Sequence, residues 1–341
     1  MILLGGAIAL GERVPWPDSL SEGAIDWLVG RTQRRLALAP QHYAADFAQA
    51  MNSFPIAVDA DAANSQHYEL PPEFFKIVLG PQLKYSCCLF ADPGMNLAEA
   101  EDYALRVTAQ NAGLEDGQNI LELGCGWGSL SLWMARHLPN ARITAVSNSR
   151  VQRDYIETEK ARQGLASIEV ITADMNSFET NRRFDRIVSV EMFEHMSNWP
   201  ELLRRLHSLL TPEGRLFIHV FAHLSCPYRF DHGDDADWIG QHFFTGGLMP
   251  SHGLIRECGR EFIVEAEWRW SGDHYRRTAE AWLANFDASE DAIDGVLRRV
   301  YGRRSRLWKR RWRLFFLATA RLFGFDHGKP WGVSHYRLAP D

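Results

Sequence analysis

The feature that most constrains the fold is an alternation of apolar runs and amphipathic stretches between residues 119 and 223. Five runs of strand length are separated by segments whose apolar residues recur at helical spacing. Strands joined through helices pair in parallel, because a short hairpin can connect only antiparallel neighbours. The alternation therefore predicts a doubly wound, mainly parallel α/β sheet. The predicted strands are NILELG, RITAVS, SIEVITAD, FDRIVSVEM and RLFIHVFAH, and the predicted helices are SLSLWMARHL, VQRDYIETEKARQG and ELLRRLHSLL.

The chain on either side of this alternation has a different texture. Residues 1–80 predict an N-terminal helical cap, with amphipathic segments at 26–40 and 44–54. Residues 81–341 are the second predicted domain. Within it, an irregular segment rich in His, Gly and aromatic residues follows the fifth strand. We interpret an insertion at about 224–300 as a lid over the strand ends, because long irregular segments at that edge more often cover a site than fold alone.

Composition limits the class of protein. The formal net charge of −6 argues against a nucleic-acid partner. The five cysteines lack Cys-x-x-Cys spacing, and the histidines between His223 and His252 are irregularly spaced, so we predict neither disulfides nor a metal site. The apolar start at residues 1–10 has no basic region and is too short to span a bilayer. These features predict a cytoplasmic protein.

A glycine-rich turn follows the first predicted strand. LELGCGWGSL carries the pattern Glu-x-Gly-x-Gly-x-Gly from Glu122 to Gly128. A dinucleotide-binding fingerprint would place a third glycine at position 129, where Ser129 stands, so that pattern does not fit. Glycines at this spacing permit a sharp turn and let a ligand approach the bare backbone. We therefore favour a ligand site over a tight turn with no ligand.

Three titratable residues, Glu191, Glu194 and His195, lie in EMFEHM just after the fourth predicted strand. Ligands of parallel sheets bind at this end of the strands. If the segment is helical, the spacing i, i+3, i+4 places the three side chains on one face. The alternative is that the carboxylates cap the next helix and the imidazole packs against it. We favour catalysis, because unpaired buried charge is costly.

The motifs taken together resemble one family. KYSCC, ILELGCGWGSLSLW, VSNSRVQRDYI, VEMFEHM, HFFTGGLMPS and GDHYRRTAEAW occur in this order. They are similar to the cyclopropane-fatty-acid synthase superfamily of class I S-adenosylmethionine (SAM) methyltransferases, and most similar to its coclaurine N-methyltransferase type. The resemblance extends from about residue 66 to the C-terminus. It implies a Rossmann-like seven-stranded sheet, which the final run WGVSHYRLAP would complete as an edge strand.

The resemblance also implies a set of cofactor-binding residues. The tyrosine and serine of KYS would contact the methionine part of SAM, and the glycine turn would shape its site. Polar residues after the second strand would bind the ribose, and an Asp-Met pair after the third strand would bind the adenine. As a strand-end residue, that Asp is equally consistent with a helix N-cap. These residues are Tyr85, Ser86, Glu122, Gly124, Gly126, Gly128, Ser147, Asn148, Gln152, Asp174, Met175 and Val190.

The resemblance leaves two branches open for the reaction. Lipid-modifying members hold a bicarbonate as the base, and the matching residues here are Cys87, Glu194, His219 and Tyr275. His219, inside RLFIHVF, is equally consistent with a core residue. In the N-methyltransferase branch, Glu194 and His195 would be the base, with Glu191 beside them. The first hypothesis is therefore transfer of a methyl group to a cyclic or aromatic-bearing amine, whose pocket the aromatic residues of the insertion would line: Phe230, Trp238, Phe243 and Phe244. The alternatives are lipid C-methylation or cyclopropanation, and a SAM-binding protein without catalysis.

A basic run, residues 297–323, carries nine Lys or Arg between Arg298 and Arg313. It could contact an anionic membrane surface transiently. We favour the alternative, a solvated helix that pairs with the protein's own acids such as those of DASEDAID. A small-molecule methyl acceptor is the predicted partner, and the sequence leaves a homodimer open.

Overall fold

The computed structural model describes residues 14, 16–58, 70–230, 233 and 237–341. The apolar start of the chain and residues 59–69, where the family resemblance begins, therefore lie outside the described residues. Both amphipathic segments of the predicted cap contain helices, which confirms their helical character. A domain boundary at residue 80 stays a prediction. The helices before the sheet are α1 (Asp18–Leu36), α2 (Tyr43–Met51), α3 (Pro72–Val78) and α4 (Leu97–Ala112).

The alternating part of the chain forms the predicted strands and helices. Local signals define their ends: the Ser149 side chain caps α6 at its start, and Gly164 ends it in the left-handed conformation. The elements are β1 (Asn119–Leu123), α5 (Ser129–His137), β2 (Arg142–Ser147), α6 (Arg150–Gln163), β3 (Ile168–Thr172), β4 (Phe184–Val190), α7 (Trp199–Leu209) and β5 (Leu210–His223).

Beyond β5 the chain is more regular than its sequence suggests. Two short antiparallel strands and two short helices come first, followed by a longer strand, three longer helices and a last strand. The elements are β6 (Tyr228–Arg229), α8 (Trp238–His242), β7 (Leu248–Met249), α9 (Leu254–Cys258), β8 (Phe262–Ser271), α10 (Gly272–Ala288), α11 (Glu290–Tyr301), α12 (Ser305–Gly324) and β9 (Trp331–Pro340).

The seven strands form one sheet in the order β3-β2-β1-β4-β5-β9-β8. The first five strands are parallel, and β9 is antiparallel to both β5 and β8. The predicted doubly wound, mainly parallel sheet is confirmed. The prediction that β9 is an edge strand is wrong, because His335 is paired with His219 on one side and Trp268 on the other.

The outermost strand is instead β8, which lies within the predicted lid insertion. Its residues alternate between buried or half-buried and exposed positions, as expected of an edge strand, whereas most of β9 is buried. The strand pattern of β8 is weak, because its burial alternates and irregular sequence surrounds it. The sequence prediction therefore included β8 in the lid.

The helices cover both faces of the sheet. Neighbouring residues of one strand pack into different core clusters, as Ile187 and Val188 of β4 do. One cluster joins the sheet to α4, α5 and α6, and the other joins it to α2, α7 and α9. A third, aromatic-rich cluster packs α1 and α3 against the helices α10, α11 and α12. This packing fixes the C-terminal ends of β1, β2 and β4, where the predicted site residues lie.

Candidate active site

The glycine turn is anchored to the neighbouring strand. The backbone N–H groups of Gly124 and Cys125 both donate to the Val146 carbonyl, at 2.9 and 3.0 Å. Gly124 and Gly126 have φ angles of +73° and +53°, which favour glycine. An added Cβ at Gly124 would lie 2.7 Å from Met192 Cβ, but an added Cβ at Gly126 would meet nothing within 4 Å. The Gly126 backbone therefore faces open space that a ligand can enter.

Two adjoining cavities meet at this turn, since Gly124, Gly126, Gln152 and Glu191 line both. Every predicted cofactor residue lines one cavity or both, except Gly128. An added Cβ at Gly128 would lie 2.7 Å from Ile156 Cγ1, so this glycine allows α6 to pack closely against the turn. The first cavity is lined by Ser147, Asn148, Asp174, Met175 and His195 among others, and the second by Tyr85, Ser86, Glu122 and Val190 among others.

The polar residues after β2 include an unused donor. Ser147 Oγ donates to Gln152 Oε1 at 2.8 Å, and both side chains are buried. Gln152 Nε2 has no hydrogen-bond partner among the described residues. A buried donor on a cavity wall is costly unless a ligand accepts its hydrogen bond. This residue therefore fits a hydroxyl-bearing ligand such as ribose.

Asp174, after β3, stabilises a turn rather than a helix. Its Oδ1 accepts the backbone N–H of Asn176 at 2.6 Å, and no helix begins there. The N-cap alternative from the sequence is therefore wrong. Because Asp174 and Met175 line the first cavity, they are placed where the prediction of an adenine site needs them.

Glu191 is the centre of a buried hydrogen-bond network. Its Oε1 accepts the Cys87 backbone N–H at 2.9 Å and lies 3.2 Å from His219 Nε2, and its Oε2 accepts the Tyr275 hydroxyl at 2.7 Å. Burial raises the pKa of Glu191, and the positive charge of Lys84 opposes that rise. Burial lowers the pKa of His219 well below its usual value, so this imidazole is neutral. The network holds one carboxylate at the junction of the two cavities.

The predicted common helical face of Glu191, Glu194 and His195 is wrong. Glu191 has a φ angle of +47°, and only Phe193–His195 form a 3-10 turn. The Glu191 side chain reaches Cys87 and Tyr275 from this left-handed backbone position. The two carboxyl groups therefore do not share a helical face, although the Glu191 charge still contributes to the raised pKa of Glu194.

Glu194 and His195 have different surroundings. Glu194 is fully buried, and neither carboxyl oxygen has a hydrogen-bond partner among the described residues. Burial raises the pKa of Glu194 well above its usual value, and the Glu191 charge adds to the rise. The His195 ring lines the first cavity and stacks on the Phe244 ring, with centroids 5.1 Å apart. Burial lowers the pKa of His195 to about 4, so this imidazole is neutral at pH 7.

The aromatic residues between β5 and β8 divide into two groups. Phe244 contacts Phe230 as well as His195, so this pair lies on the side of the site. Phe243 instead stacks on Phe315 of α12, with centroids 4.4 Å apart, and packs against Trp238. We predicted all four residues as lining an acceptor pocket, but Phe243 and Trp238 anchor the segment to α12.

Sequence reasoning missed Lys84. This lysine is 2% exposed, and its Nζ donates to Ser86 Oγ and to the Cys87 carbonyl, both at 2.6 Å. A lone charged residue inside the otherwise uncharged LKYSCCLF was the signal that could have identified it. Among the described residues, no group of three or more His, Cys, Asp or Glu side chains is arranged to hold a metal ion.

The family follows from comparison with known proteins. The model of the family described as "Mycolic acid cyclopropane synthetase" matches residues 58–327. The chain belongs to this family. It is 34% identical over 334 residues to an (S)-coclaurine N-methyltransferase of Thalictrum flavum subsp. glaucum, covering 96% of this chain and 88% of the relative. In the part of the chain that the structure describes, no helix is both long and apolar enough to cross a membrane.

Solved structures of family members have the same architecture. A crystal structure of coclaurine N-methyltransferase bound to N-methylheliamine and S-adenosylhomocysteine superimposes with a TM-score of 0.92 at 32% identity, covering 95% of this chain and 96% of that one. The cyclopropane synthase MmaA2 of Mycobacterium tuberculosis gives a TM-score of 0.71 at 23% identity, covering 82% and 98% of the two chains, and supports the fold. The protein is a SAM-dependent methyltransferase of this family.

Proposed function

We propose that this protein transfers a methyl group from SAM to the nitrogen of a cyclic amine attached to an aromatic system. The observation that carries the proposal is the buried Glu191 carboxylate, which lines both cavities. A protonated amine is attracted to a carboxylate that is shielded from water, because the attraction is weakly screened there. A neutral lipid alkene carries no charge that the carboxylate would attract.

The residues at the glycine turn fit the cofactor. The bare Gly126 backbone and the unused Gln152 donor suit a nucleoside, with Ser147, Asn148, Asp174 and Met175 beside them. Tyr85, Ser86, Glu122 and Val190 would hold the amino-acid part in the second cavity. When bound, SAM supplies an electrophilic methyl group, and S-adenosylhomocysteine is the product. The protein's main task is then to align the acceptor nitrogen with that methyl group.

The amine must lose its proton before it can accept a methyl group, because an ammonium has no lone pair. We assign this proton to Glu191, whereas Glu194 and His195 were the base predicted from the family resemblance. A group with a pKa of about 4, as His195 has, is a weak acceptor for an ammonium proton, and a carboxylate with a raised pKa is better matched. His195 and Phe244 would form the wall against which the acceptor ring packs.

Relatives support an amine as the acceptor. The similar plant protein is named as an (S)-coclaurine N-methyltransferase, and another relative, 30% identical over 292 residues, as a pavine N-methyltransferase. The similar crystal structure holds N-methylheliamine. These names describe the relatives, and for this chain they favour the same class of acceptor.

The alternative is a lipid C-methyltransferase or cyclopropane synthase that uses bicarbonate as the base. Cys87, His219 and Tyr275, three residues of the predicted bicarbonate group, already contact the Glu191 carboxylate. A built-in carboxylate at this place makes an external one unnecessary, so we propose that the reaction needs no bicarbonate. Contact of the basic run with a membrane surface, a homodimer and a cytoplasmic location stay predictions.

The test offers the enzyme two acceptor pools with SAM: cyclic amines, and vesicles of unsaturated phospholipid with and without bicarbonate. We expect a gain of one CH₂ mass among the amines, independent of bicarbonate. Bicarbonate-dependent modification of the lipid would overturn the proposal in favour of the lipid alternative. Failure to form S-adenosylhomocysteine with either pool, while SAM still binds, would support a SAM-binding protein without catalysis.

A variant identifies the carboxylate. Glu191→Gln should lower kcat/KM for the amine by roughly 100-fold or more, as loss of a general base typically does, while SAM binding persists. Glu213→Gln changes the same charge on an exposed residue of β5 and should leave kcat/KM unchanged. Full activity of Glu191→Gln would remove Glu191 from the mechanism and return the role of base to Glu194 and His195.

A further inference from the structure

We propose that Lys84 is a positioning residue that holds Glu191 in its ionised form. This inference rests on the proposed function, in which the Glu191 carboxylate meets the amine. Lys84 would act through Glu191 and through the backbone that binds it, without touching the acceptor.

The first observation is the isolation of the Lys84 ammonium from direct counter-charges. The side chain is almost completely buried, and its two hydrogen bonds go to neutral oxygens, Ser86 Oγ and the Cys87 carbonyl. The structure records no ion pair for Lys84 with any described residue. Burying an ammonium on neutral acceptors alone is costly. The cost is therefore offset by carboxylates that lie beyond direct contact.

Two buried carboxylates are bonded to the same short loop. Glu101 accepts the backbone N–H groups of Gln82 and of Lys84 itself, at 2.8 and 3.2 Å. Glu191 accepts the N–H of Cys87, whose carbonyl in turn accepts the Lys84 ammonium. The loop thus brings one cation into the field of both carboxylates. Glu191 is the one of the two that lines the cavities.

The other titratable groups around Glu191 carry no positive charge at neutral pH. Burial keeps the imidazoles of His219 and His195 neutral. It also keeps the Cys87 thiol and the Tyr275 phenol protonated. The remaining neighbour is Glu194, and burial favours the protonated form of its carboxyl group. Lys84 therefore supplies the positive charge of the group. Its other members are Cys87 and Cys88 on the loop, Glu194 and His195 after β4, His219 on β5 and Tyr275 on α10.

The expected effect has a definite sign. Replacing the ammonium with a neutral side chain disfavours the charged form of Glu191, so the pKa of Glu191 rises. Activity that needs the carboxylate then falls at a higher pH than in the wild type. Because a nearby opposite charge shifts a carboxyl pKa by about 1 to 3 units, the acidic limb of the kcat/KM profile should move up by about 1 unit or more. The amine has the same pKa in both experiments, so it does not contribute to the shift.

The experiment compares Lys84→Met, of similar length but neutral, with Lys84→Arg, which keeps the charge. We expect Lys84→Met to shift the acidic limb and Lys84→Arg to restore most of it. Because Lys84 lines the second cavity and bonds Ser86, the pH profiles are measured at saturating SAM. A fall in kcat/KM at all pH values with an unshifted limb would overturn the proposal, because it would indicate a merely structural lysine.

A measurement without an acceptor separates this inference from the proposed function. Infrared difference titration of the free enzyme against Glu191→Gln follows the protonation of Glu191 directly. The carboxylic-acid band should persist to higher pH in Lys84→Met than in the wild type. If the band shifts but no amine is methylated, the proposed function fails and the Lys84 inference stands. If amines are methylated but the band does not shift, the Lys84 inference fails alone.

A double-mutant cycle covers the case in which Lys84→Met folds poorly. If the two charges are coupled, Lys84→Met should cost less stability in the Glu191→Gln background than in the wild type, because the partner charge is already absent. The free energies of unfolding measured in urea give the coupling. Equal costs in both backgrounds would show that Lys84 and Glu191 are independent, and would overturn the proposal.

Discussion

The Tyr275 hydroxyl donates a hydrogen bond to Glu191 Oε2 at 2.7 Å and thereby joins α10 to the end of β4 across 84 positions of sequence. The phenol ring is itself held by Phe323 of α12, with ring centroids 4.3 Å apart in a stacked arrangement. The direction of the Glu191 carboxylate is therefore set by two helices, α10 and α12, which lie between β8 and β9 in the chain. This dependence leads to the first prediction.

Tyr275→Phe should lower kcat/KM for an amine acceptor by about 10- to 100-fold. A hydrogen bond to a charged group contributes about 1.5–3 kcal/mol, and without it the pKa of Glu191 rises. Kinetics across pH, with calorimetry for SAM affinity, measure the effect. Tyr336→Phe is the control, since Tyr336 is also buried and its hydroxyl donates to the His252 carbonyl, away from Glu191. Equal losses in both variants would contradict a specific role for Tyr275.

Gly126→Ala should weaken SAM binding by about 10-fold or more. Gly164→Ala is a matched control, because both glycines have positive φ angles, of +53° and +67°, and an added Cβ at either meets nothing within 4 Å. Each substitution should cost about 1 kcal/mol of stability, because alanine is strained in this conformation. Only Gly126 lines the cavities, so calorimetry should detect weaker SAM binding for Gly126→Ala alone. Unchanged affinity in that variant would mean that SAM does not approach the turn.

Glu194→Gln should stabilise the free enzyme at neutral pH but not near pH 4. Burial raises the pKa of Glu194 in the folded state, while the unfolded value is about 4.3. Between these two values the folded state binds more protons, so the stability falls as pH rises, by about 1.4 kcal/mol per unit of raised pKa. Glutamine does not titrate and therefore avoids that loss.

The measurement for this prediction is the melting temperature from pH 4 to pH 8. The advantage of Glu194→Gln over the wild type should grow as pH rises above about 4.3. Glu213→Gln, on the surface of β5, should show no such trend. A constant difference at every pH would mean that Glu194 titrates normally in the folded protein.

Arg313→Gln should destabilise the protein by about 1 kcal/mol, the sum of two partly exposed ion pairs. Its guanidinium contacts Asp18 of α1 at 2.6 Å and Asp287 of α10 at 2.8 Å. Arg299→Gln, at an exposed position in the same basic run, should have little effect. Urea unfolding at low and high salt measures both, and the loss from Arg313→Gln should shrink in salt. A larger loss of stability from Arg299→Gln than from Arg313→Gln would contradict the view that the basic run pairs with the protein's own acids.

The same two variants test contact with a membrane surface. If the basic run bound anionic lipid, Arg299→Gln would weaken co-sedimentation with anionic vesicles. We expect the wild type and both variants to stay unbound at physiological salt, as Lys309 also pairs with the protein's own Glu290 and Asp294. Salt-sensitive binding of the wild type would restore the membrane interpretation.

The sequence by itself determined the features that depend on local order. Apolar periodicity predicted β1 to β5 and the helices between them, because the alternation of side chains along a strand and their repeat along a helix appear directly in the residue order. The spacing of Gly124 and Gly126 predicted the ligand turn, because the left-handed φ angles needed there are a local property of the chain. These signals required no knowledge of distant residues.

Only the tertiary structure decided which carboxylate occupies the cavities and which strand lies at the edge. Glu191 and Glu194 look equivalent in EMFEHM, but one left-handed backbone angle directs Glu191 towards partners at positions 87, 219 and 275. The insertion of β9 between β5 and β8 likewise depends on pairing between segments more than a hundred residues apart. Contacts of this range are fixed by the packing of the whole chain, and local patterns do not encode them.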